Sequence, residues 1–368
     1  MKRIMHFSYD CKWNPWIGGG GAVRLHEIYK RLAHDYDITV VCARHPGSHN
    51  RTVDGVKYRF VGWSPNYAAS RVVYSLVSLL YSLTGFWWQR RYDVVVIDFD
   101  PFSFYIPIFN RCKTVGSVFH LYGQEPIRKY GLLGYPVTWF ERIIPHWYRH
   151  RVFISESVCM RLPPNGGTTK VIYTGIDDSL FNLPTEENDY VLSLGRIDLF
   201  NKGHDILIPA FKRLRSQAPH LRLVVAGDGK DMAQLLRLIK EHGVADCVET
   251  PGRISSEQKE ELLRKSLFVV MPSRYEGWGI VAIEAAACGK ATVGTDIDGL
   301  RDSIVNNQTG LLCQKENVED LFDKMRILAF DPDRRRLLGD QGRKRARLFS
   351  WDAIASEQSN YFESVVLH

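Results

Sequence analysis

Two carboxylates and two cations carry most of the chemistry that can be read from this chain: Glu276 and Glu284, Arg196 and Lys202. Glu276 stands in the run Ser273-Arg274-Tyr275-Glu276-Gly277-Trp278-Gly279, and Glu284 follows in the Ala-rich segment 280–288. Glycines at 277 and 279 let a backbone turn tightly and approach a ligand with no Cβ in the way. A helix opening at Ile280 would present unpaired N–H groups and the positive end of its dipole, which suits a diphosphate. The two acids would repel phosphate, but they can accept hydrogen bonds from hydroxyls. Arg196 and Lys202 would clamp the phosphates, each charged hydrogen bond contributing roughly 1.5–3 kcal/mol. Phosphate-seeking groups flanked by hydroxyl-seeking acids predict a sugar nucleotide as ligand. Taken singly, any of these residues reads more simply as a solvated surface charge. Glu284 resists that reading, because Ile283, Ala285, Ala286 and Ala287 surround it, a poor setting for a surface acid.

The apolar pattern predicts the elements that hold these groups. Residues 267–271 read as a buried parallel strand ended by Pro272 and Ser273, and Gly289 stands where a helix C-cap belongs. Tyr190–Leu194 is a strand leading into Gly195-Arg196, with Lys202-Gly203 shortly after, at the strand end where ligands gather in open α/β sheets. Strands at 223–226 and 247–250 lead into Gly227-Asp228-Gly229 and Gly252-Arg253, and strands at 291–295 and 310–312 follow. The first half shows the same alternation, with strands at 4–7, 38–41, 57–61, 93–97, 114–119, 152–154 and 170–173. Gly18-Gly19-Gly20-Gly21 opens a helix with Val23, Leu25, Ile28 and Leu32 on one face. It is not the G-x-G-x-x-G fingerprint, so a nicotinamide dehydrogenase is disfavoured. A breaker cluster at 163–167 and a polar linker at 182–189 put a boundary near residue 176. The expected organisation is two doubly wound, Rossmann-like α/β domains, 1–175 and 176–350, with a final amphipathic helix at 351–366.

Composition narrows the class. At 368 residues the chain expects about two domains, and 45% apolar content is ordinary for a globular protein. Its seven cysteines form no C-x-x-C pair and no metal spacing, which fits a reducing cytosol, and the opening residues 1–7 are too short and polar for a signal peptide. The net charge of +7 is unevenly placed: residues 1–175 hold 22 Lys and Arg against 11 Asp and Glu, whereas 176–368 hold 26 against 30. Residues 334–347 are strongly basic, but no aromatics interleave them, so a solvated helix face is expected rather than a nucleic-acid site. Residues 71–88 are apolar with Ser and Tyr interleaved, too short and broken to span a bilayer. They read first as a buried amphipathic helix, and second as a helix touching lipid with Trp87, Trp88, Arg90 and Arg91 at its end.

The frame EGWG…EAAACG, two glutamates separated by seven residues, resembles the signature of glycosyltransferase family 4. G-R-x-x-x-x-x-K-G at 195–203 resembles that family's diphosphate pair, and Thr174-Gly175-Ile176-Asp177 with Phe181 resembles its inter-domain crossing, with Thr174 in place of the usual Asn. The resemblance implies a GT-B fold whose domains face a cleft, the first for the acceptor and the second for the nucleotide sugar, with the last helix crossing back to the first. It implies retaining transfer of a hexosyl-type group by front-face attack. It places Glu276 on the sugar hydroxyls, Glu284 on the ribose, and the backbone of Gly277, Trp278 and Gly279 against the sugar. Trp278 stands where Phe is usual. By the same resemblance Gly19, Gly20 and Gly21 face donor phosphates and acceptor, His120 faces the donor sugar, and the Gly227 and Arg253 loops border the nucleotide. No cofactor and no metal are expected. The expected partners are a nucleoside diphosphate sugar, a cell-surface glycan or lipid-linked acceptor, and an anionic membrane surface met from the cytoplasm. A nucleotide-sugar epimerase and a binding protein without turnover are the competing expectations.

Overall fold

The computed structural model describes residues 1–100, 105–107, 113–119, 121, 123, 127, 131–182 and 186–367. The chain divides into two compact units, Met1–Gly175 together with Trp351–His368, and Ile176–Ser350.

The first unit holds an eight-stranded sheet in the order β3-β4-β2-β1-β5-β6-β7-β8. Its strands are β1 (Lys2–Phe7), β2 (Tyr36–Ala43), β3 (Arg51–Val53), β4 (Val56–Val61), β5 (Val94–Phe99), β6 (Lys113–Val118), β7 (His150–Phe153) and β8 (Thr169–Val171). Every neighbour pair is parallel except β3 with β4. Strand β3 was not expected from the sequence. A two-residue turn makes it, with Asp54 at φ 50° and Gly55 at φ 79°, the left-handed pair that joins a tight hairpin. Strand residues alternate between two cores. Ile4, Ile38 and Val96 face the helices Gly20–Leu32 and Trp351–Leu367 through Leu25, Ile28, Ile354 and Phe362. Met5, Val95 and Ile97 face the opposite layer, where Tyr81, Trp88, Phe140 and Ile144 pack. Covered on both sides, the central strands carry apolar residues on both faces, as in 94–97 of β5, with His6 of β1 and Asp98 of β5 paired at 2.8 Å.

That opposite layer contains a helix with reversed polarity. Tyr67–Leu83 points Ser70, Tyr74, Ser75, Ser78 and Ser82 inward. Val72, Leu76, Leu80 and Leu83 point outward, each at least half exposed. Apart from Tyr81, which packs in that layer, the expectation of a buried apolar face fails because inward positions carry hydrogen-bonding side chains. Ser70 Oγ donates to Arg44 O at 2.8 Å, Tyr74 Oη to Val41 O at 3.2 Å, and Ser82 Oγ to Ile106 O.

The second unit holds a six-stranded, all-parallel sheet in the order β11-β10-β9-β12-β13-β14. The strands are β9 (Tyr190–Leu194), β10 (Arg222–Ala226), β11 (Val248–Gly252), β12 (Phe268–Met271), β13 (Thr292–Thr295) and β14 (Gly310–Cys313). Strand β12 leads through the glycine loop into the helix Ile280–Ala287, from Ala282 to Ala287 buried at every position. Gly289, at φ 72°, ends it in the left-handed conformation and donates its N–H to Ala286 O at 2.9 Å. Among the described residues no helix is long and apolar enough to cross a membrane.

Candidate functional site

The loops that follow β9, β10 and β11 are stitched together by backbone bonds. Gly195 N donates to Ala226 O at 3.0 Å, Ile197 N to Asp228 O at 3.0 Å, and Gly227 N to Gly252 O at 2.9 Å. Gly227 sits at φ 144°, and a Cβ there would lie 1.8 Å from Gly195 O, so no other residue allows this approach. Exposed Arg196 projects from the first of these loops, and exposed Arg253 follows the last.

Lys202 is placed by a second close contact. The short helix Leu199–Lys202 is capped by Asp198, whose Oδ1 accepts Asn201 N at 3.1 Å. It ends at Gly203 (φ 67°), where a Cβ would lie 2.1 Å from Pro272 O at the end of β12. This seats Lys202 beside the glycine loop, and its Nζ donates to Glu276 Oε1, which also accepts Ser273 Oγ at 3.1 Å. Arg196, Lys202, Ser273 and Glu276 therefore line one narrow recess at the carboxyl ends of β9 and β12. His204 lines it too and is buried, its Nδ1 without a hydrogen-bond partner among the described residues. Burial, followed by the neighbouring Lys202 charge, lowers its pKa to about 4.

The glycine loop rests on the segment that follows β13. Gly279 is the N-cap of the Ile280–Ala287 helix at φ 70°, and no side chain caps that helix. A Cβ on Gly279 would meet Leu300 Cδ2 at 2.5 Å, and one on Gly299 would lie 2.6 Å from Glu276 O. Trp278 is expected to set backbone, not side chain, against the sugar. Its indole is buried and packs edge-on against Phe349 with ring centres 5.3 Å apart, so the backbone is what this position offers a ligand. One turn into the helix, Glu284 is buried and bound by Lys259 Nζ at 2.7 Å. Burial opposes the Lys259 charge, but the Glu284 carboxylate outweighs it and holds the ammonium above its ordinary range.

Lys259, His204 and Ser273 are site residues that the sequence reading did not select. Nothing near Lys259 marks it, since only the capping box Ser255–Gln258 that starts its helix is legible. His204 could have been found, because it follows Lys202-Gly203 directly.

The four-glycine loop belongs to the first unit. Gly18 turns at φ 53°, Gly19 is the N-cap, and the helix begins at Gly20. Asp10 ties the loop down, accepting Gly19 N at 3.2 Å, Gly18 N at 3.4 Å and Cys11 N at 2.8 Å. Nothing lies within 4 Å of a Cβ built on Gly20 or Gly21, so packing among the described residues does not demand glycine there. His120 lies outside the described residues. Among the described residues, no three His, Cys, Asp or Glu side chains converge as a metal site.

Comparison with known proteins places this geometry. Residues 18–180 match the family model described as Glycosyltransferase Family 4, and residues 177–345 match the model for glycosyl transferases group 1. An uncharacterized glycosyltransferase of Methanocaldococcus jannaschii is 34% identical over 198 residues, 53% of each chain. The match spans about half the length of the curated relatives. Among solved structures, sucrose-phosphate synthase from Thermosynechococcus elongatus superposes with a TM-score of 0.82 over 99% of both chains at 22% identity. HepE of Anabaena, solved with UDP and glucose, superposes with a TM-score of 0.74 over 99% of this chain and 100% of its own at 16% identity. The two parallel sheets have the fold of the GT-B glycosyltransferases. With family models matching from the four-glycine loop through both glutamates to the basic helix near the end of the second unit, the chain belongs to glycosyltransferase family 4.

Proposed function

We propose that the protein transfers a hexosyl-type group from a nucleoside diphosphate sugar to a glycan or lipid-linked acceptor, with retention of anomeric configuration. The observation that carries this reading is the recess where Arg196 and Lys202 meet Glu276 beside the uncapped start of the Ile280–Ala287 helix. Cations and helix N–H groups at one spot suit a diphosphate leaving group, whose charge grows as the sugar departs, so these contacts strengthen toward the transition state. Glu276 accepts sugar hydroxyls, and Glu284, held in position by Lys259, accepts the ribose hydroxyls. That HepE was solved with UDP and glucose supports the donor class.

The cations already neutralise the leaving group, so the reaction proceeds without a divalent metal. Double displacement would need a carboxylate on the opposite face of the sugar. The motifs provide none, which favours front-face attack with the departing diphosphate oxygen taking the acceptor proton. Units 1–175 and 176–350 serve acceptor and donor respectively. Seven cysteines with no C-x-x-C pair and no metal spacing fit work on the cytoplasmic side of a membrane.

The test is product analysis with a panel of nucleotide sugars and glycan or lipid-linked acceptors, with excess chelator in a parallel arm. Acceptor-dependent release of nucleoside diphosphate, an α-product from an α-donor, and full rate in chelator are expected. Release that ignores the acceptor would identify an epimerase or hydrolase instead. No consumption of any donor would identify a binding protein.

A further inference from the structure

We propose that the outer face of the Tyr67–Leu83 helix, with the turn Gly85–Trp88 that continues it, docks on an anionic lipid bilayer. The proposal does not depend on which reaction the protein performs.

The first observation is the reversed polarity. Val72, Leu76, Leu80, Leu83 and Trp87 recur at helical spacing and are between 51% and 72% exposed. A helix serving only its own core would turn this stripe inward and its serines outward. Here Ser70, Tyr74 and Ser82 donate to backbone carbonyls outside the helix, which fixes the rotation of the helix about its axis and keeps the apolar stripe outside. A continuous apolar face of this kind marks an interaction surface.

The second observation is its neighbour in the same layer. The helix Tyr135–Trp147 packs on the same side of the sheet through Phe140 and Ile144. It too exposes aromatics: Tyr135 at 57%, Trp139 at 63% and Trp147 at 52%. Its own carboxylate, Glu141, is buried and bound to Gly123 N, while Arg142 and Arg149 are exposed. Two helices of one layer thus present apolar and indole surface to the same side.

Charge selects the occupant. Between Gly55 and Tyr92 there is no Asp or Glu. Lys57 and Arg71 pair with Asp37 and Asp100, which lie outside that segment, whereas Arg59, Arg90 and Arg91 are exposed. A second copy of the chain docking through this face would set equal positive charges against each other, because a two-fold interface apposes the same patch. Apolar stripe, indole and tyrosine rings, and arginines without acids form the pattern of a helix lying in a headgroup layer whose lipids are negative. No described helix is long and apolar enough to span, so the attachment is shallow and reversible.

The experiment is co-sedimentation of the whole protein with vesicles of phosphatidylcholine alone and of phosphatidylcholine with phosphatidylglycerol, at low and high salt. Binding is expected only with the anionic vesicles, weakening as salt screens the arginines. The double variant Leu76→Glu, Leu80→Glu should bind at least tenfold more weakly, and Leu76→Ser, Leu80→Ser should weaken binding without adding charge. Because these side chains are exposed, both variants should keep the wild-type melting temperature. Wild-type protein that stays in the supernatant with anionic vesicles overturns the proposal. So does full binding by the folded Glu variant, which would leave only scattered positive charge as the cause. A wild-type dimer that the Ser variant converts to monomer would instead assign the face to a second copy.

Discussion

Glu276 and Glu284 are both paired with lysine, yet the two pairs differ in what they can release. Lys202 stands in the recess beside Arg196, so its ammonium can exchange Glu276 for a phosphate. Removing Glu276 frees that ammonium, and a nucleoside diphosphate should bind the Glu276→Ala variant as well as or better than wild type, while sugar transfer falls by roughly a hundredfold or more. Lys259 is half-buried against the buried Glu284. Glu284→Ala strands that charge and removes the proposed ribose acceptor, so nucleotide affinity itself should fall by roughly tenfold. Titration calorimetry with the nucleoside diphosphate separates the two, and equal weakening by both changes would refute the division. His204 bears on stability rather than on turnover. Burial and Lys202 hold its pKa near 4 in the folded protein, against an ordinary 6.5. The unfolded chain therefore takes up a proton that the folded chain refuses. Stability should be complete above about pH 6.5 and decline as the pH falls toward 4, by at most about 3 kcal/mol from this residue. His204→Gln should flatten that part of a plot of urea midpoint against pH. An unchanged slope would show that other groups set it.

Much of the architecture was legible at the scale of elements, for a stated reason. Parallel strands covered on both faces are apolar at most positions, so β9, β10 and β12 stand out of the sequence, and glycine and proline mark where they end. The glycine loop and the Ile280–Ala287 helix were legible as well, since Gly279 and Gly289 are both left-handed and punctuate the helix at its two ends. Strand β3 carried a signal that was passed over, the Asp54-Gly55 dipeptide of a two-residue hairpin, because three residues are too few to show alternation. The inverted helix was hard to read for a different reason. Composition shows that one face is apolar and another carries serines, but which face turns inward depends on carbonyls at Arg44, Val41 and Ile106, far from it in sequence. Lys259 escaped for the same cause, since its partner lies on another helix. Trp278 was read by its neighbours in the loop, whereas its packing is decided by Phe349, from the far end of the unit.

At the scale of the whole molecule, the chain builds the first unit from two separate segments. Trp351, Ile354, Phe362 and Val365 belong to the same core as Ile4 and Val96. Gly175 and Trp351 meet within that unit, where a Cβ on Gly175 would lie 3.0 Å from Trp351 Cα. Residues 176–350, which hold their own core, should unfold cooperatively when expressed alone. Residues 1–175 alone should lack a cooperative melt, because one face of their sheet has lost one of the two helices that cover it. Joining 175 to 351 through a short flexible linker should restore it. Thermal melts followed by circular dichroism decide this, and a sharp transition in 1–175 equal to that of the joined fragment would show that the terminal helix is dispensable.

The same split gives the molecule an order in time. During synthesis, domains ordinarily close in the sequence in which they are made. Here residues 1–175 must wait with one side of their sheet only partly covered, the side that the Gly20–Leu32 and Trp351–Leu367 helices share, while the whole of 176–350 is translated. The later unit has every element it needs before the earlier one does, because the earlier one, its strands complete, still lacks its last helix. The half encoded first is therefore the half finished last, and the interval is the time needed to add some 175 residues, on the order of ten to forty seconds at ordinary elongation rates.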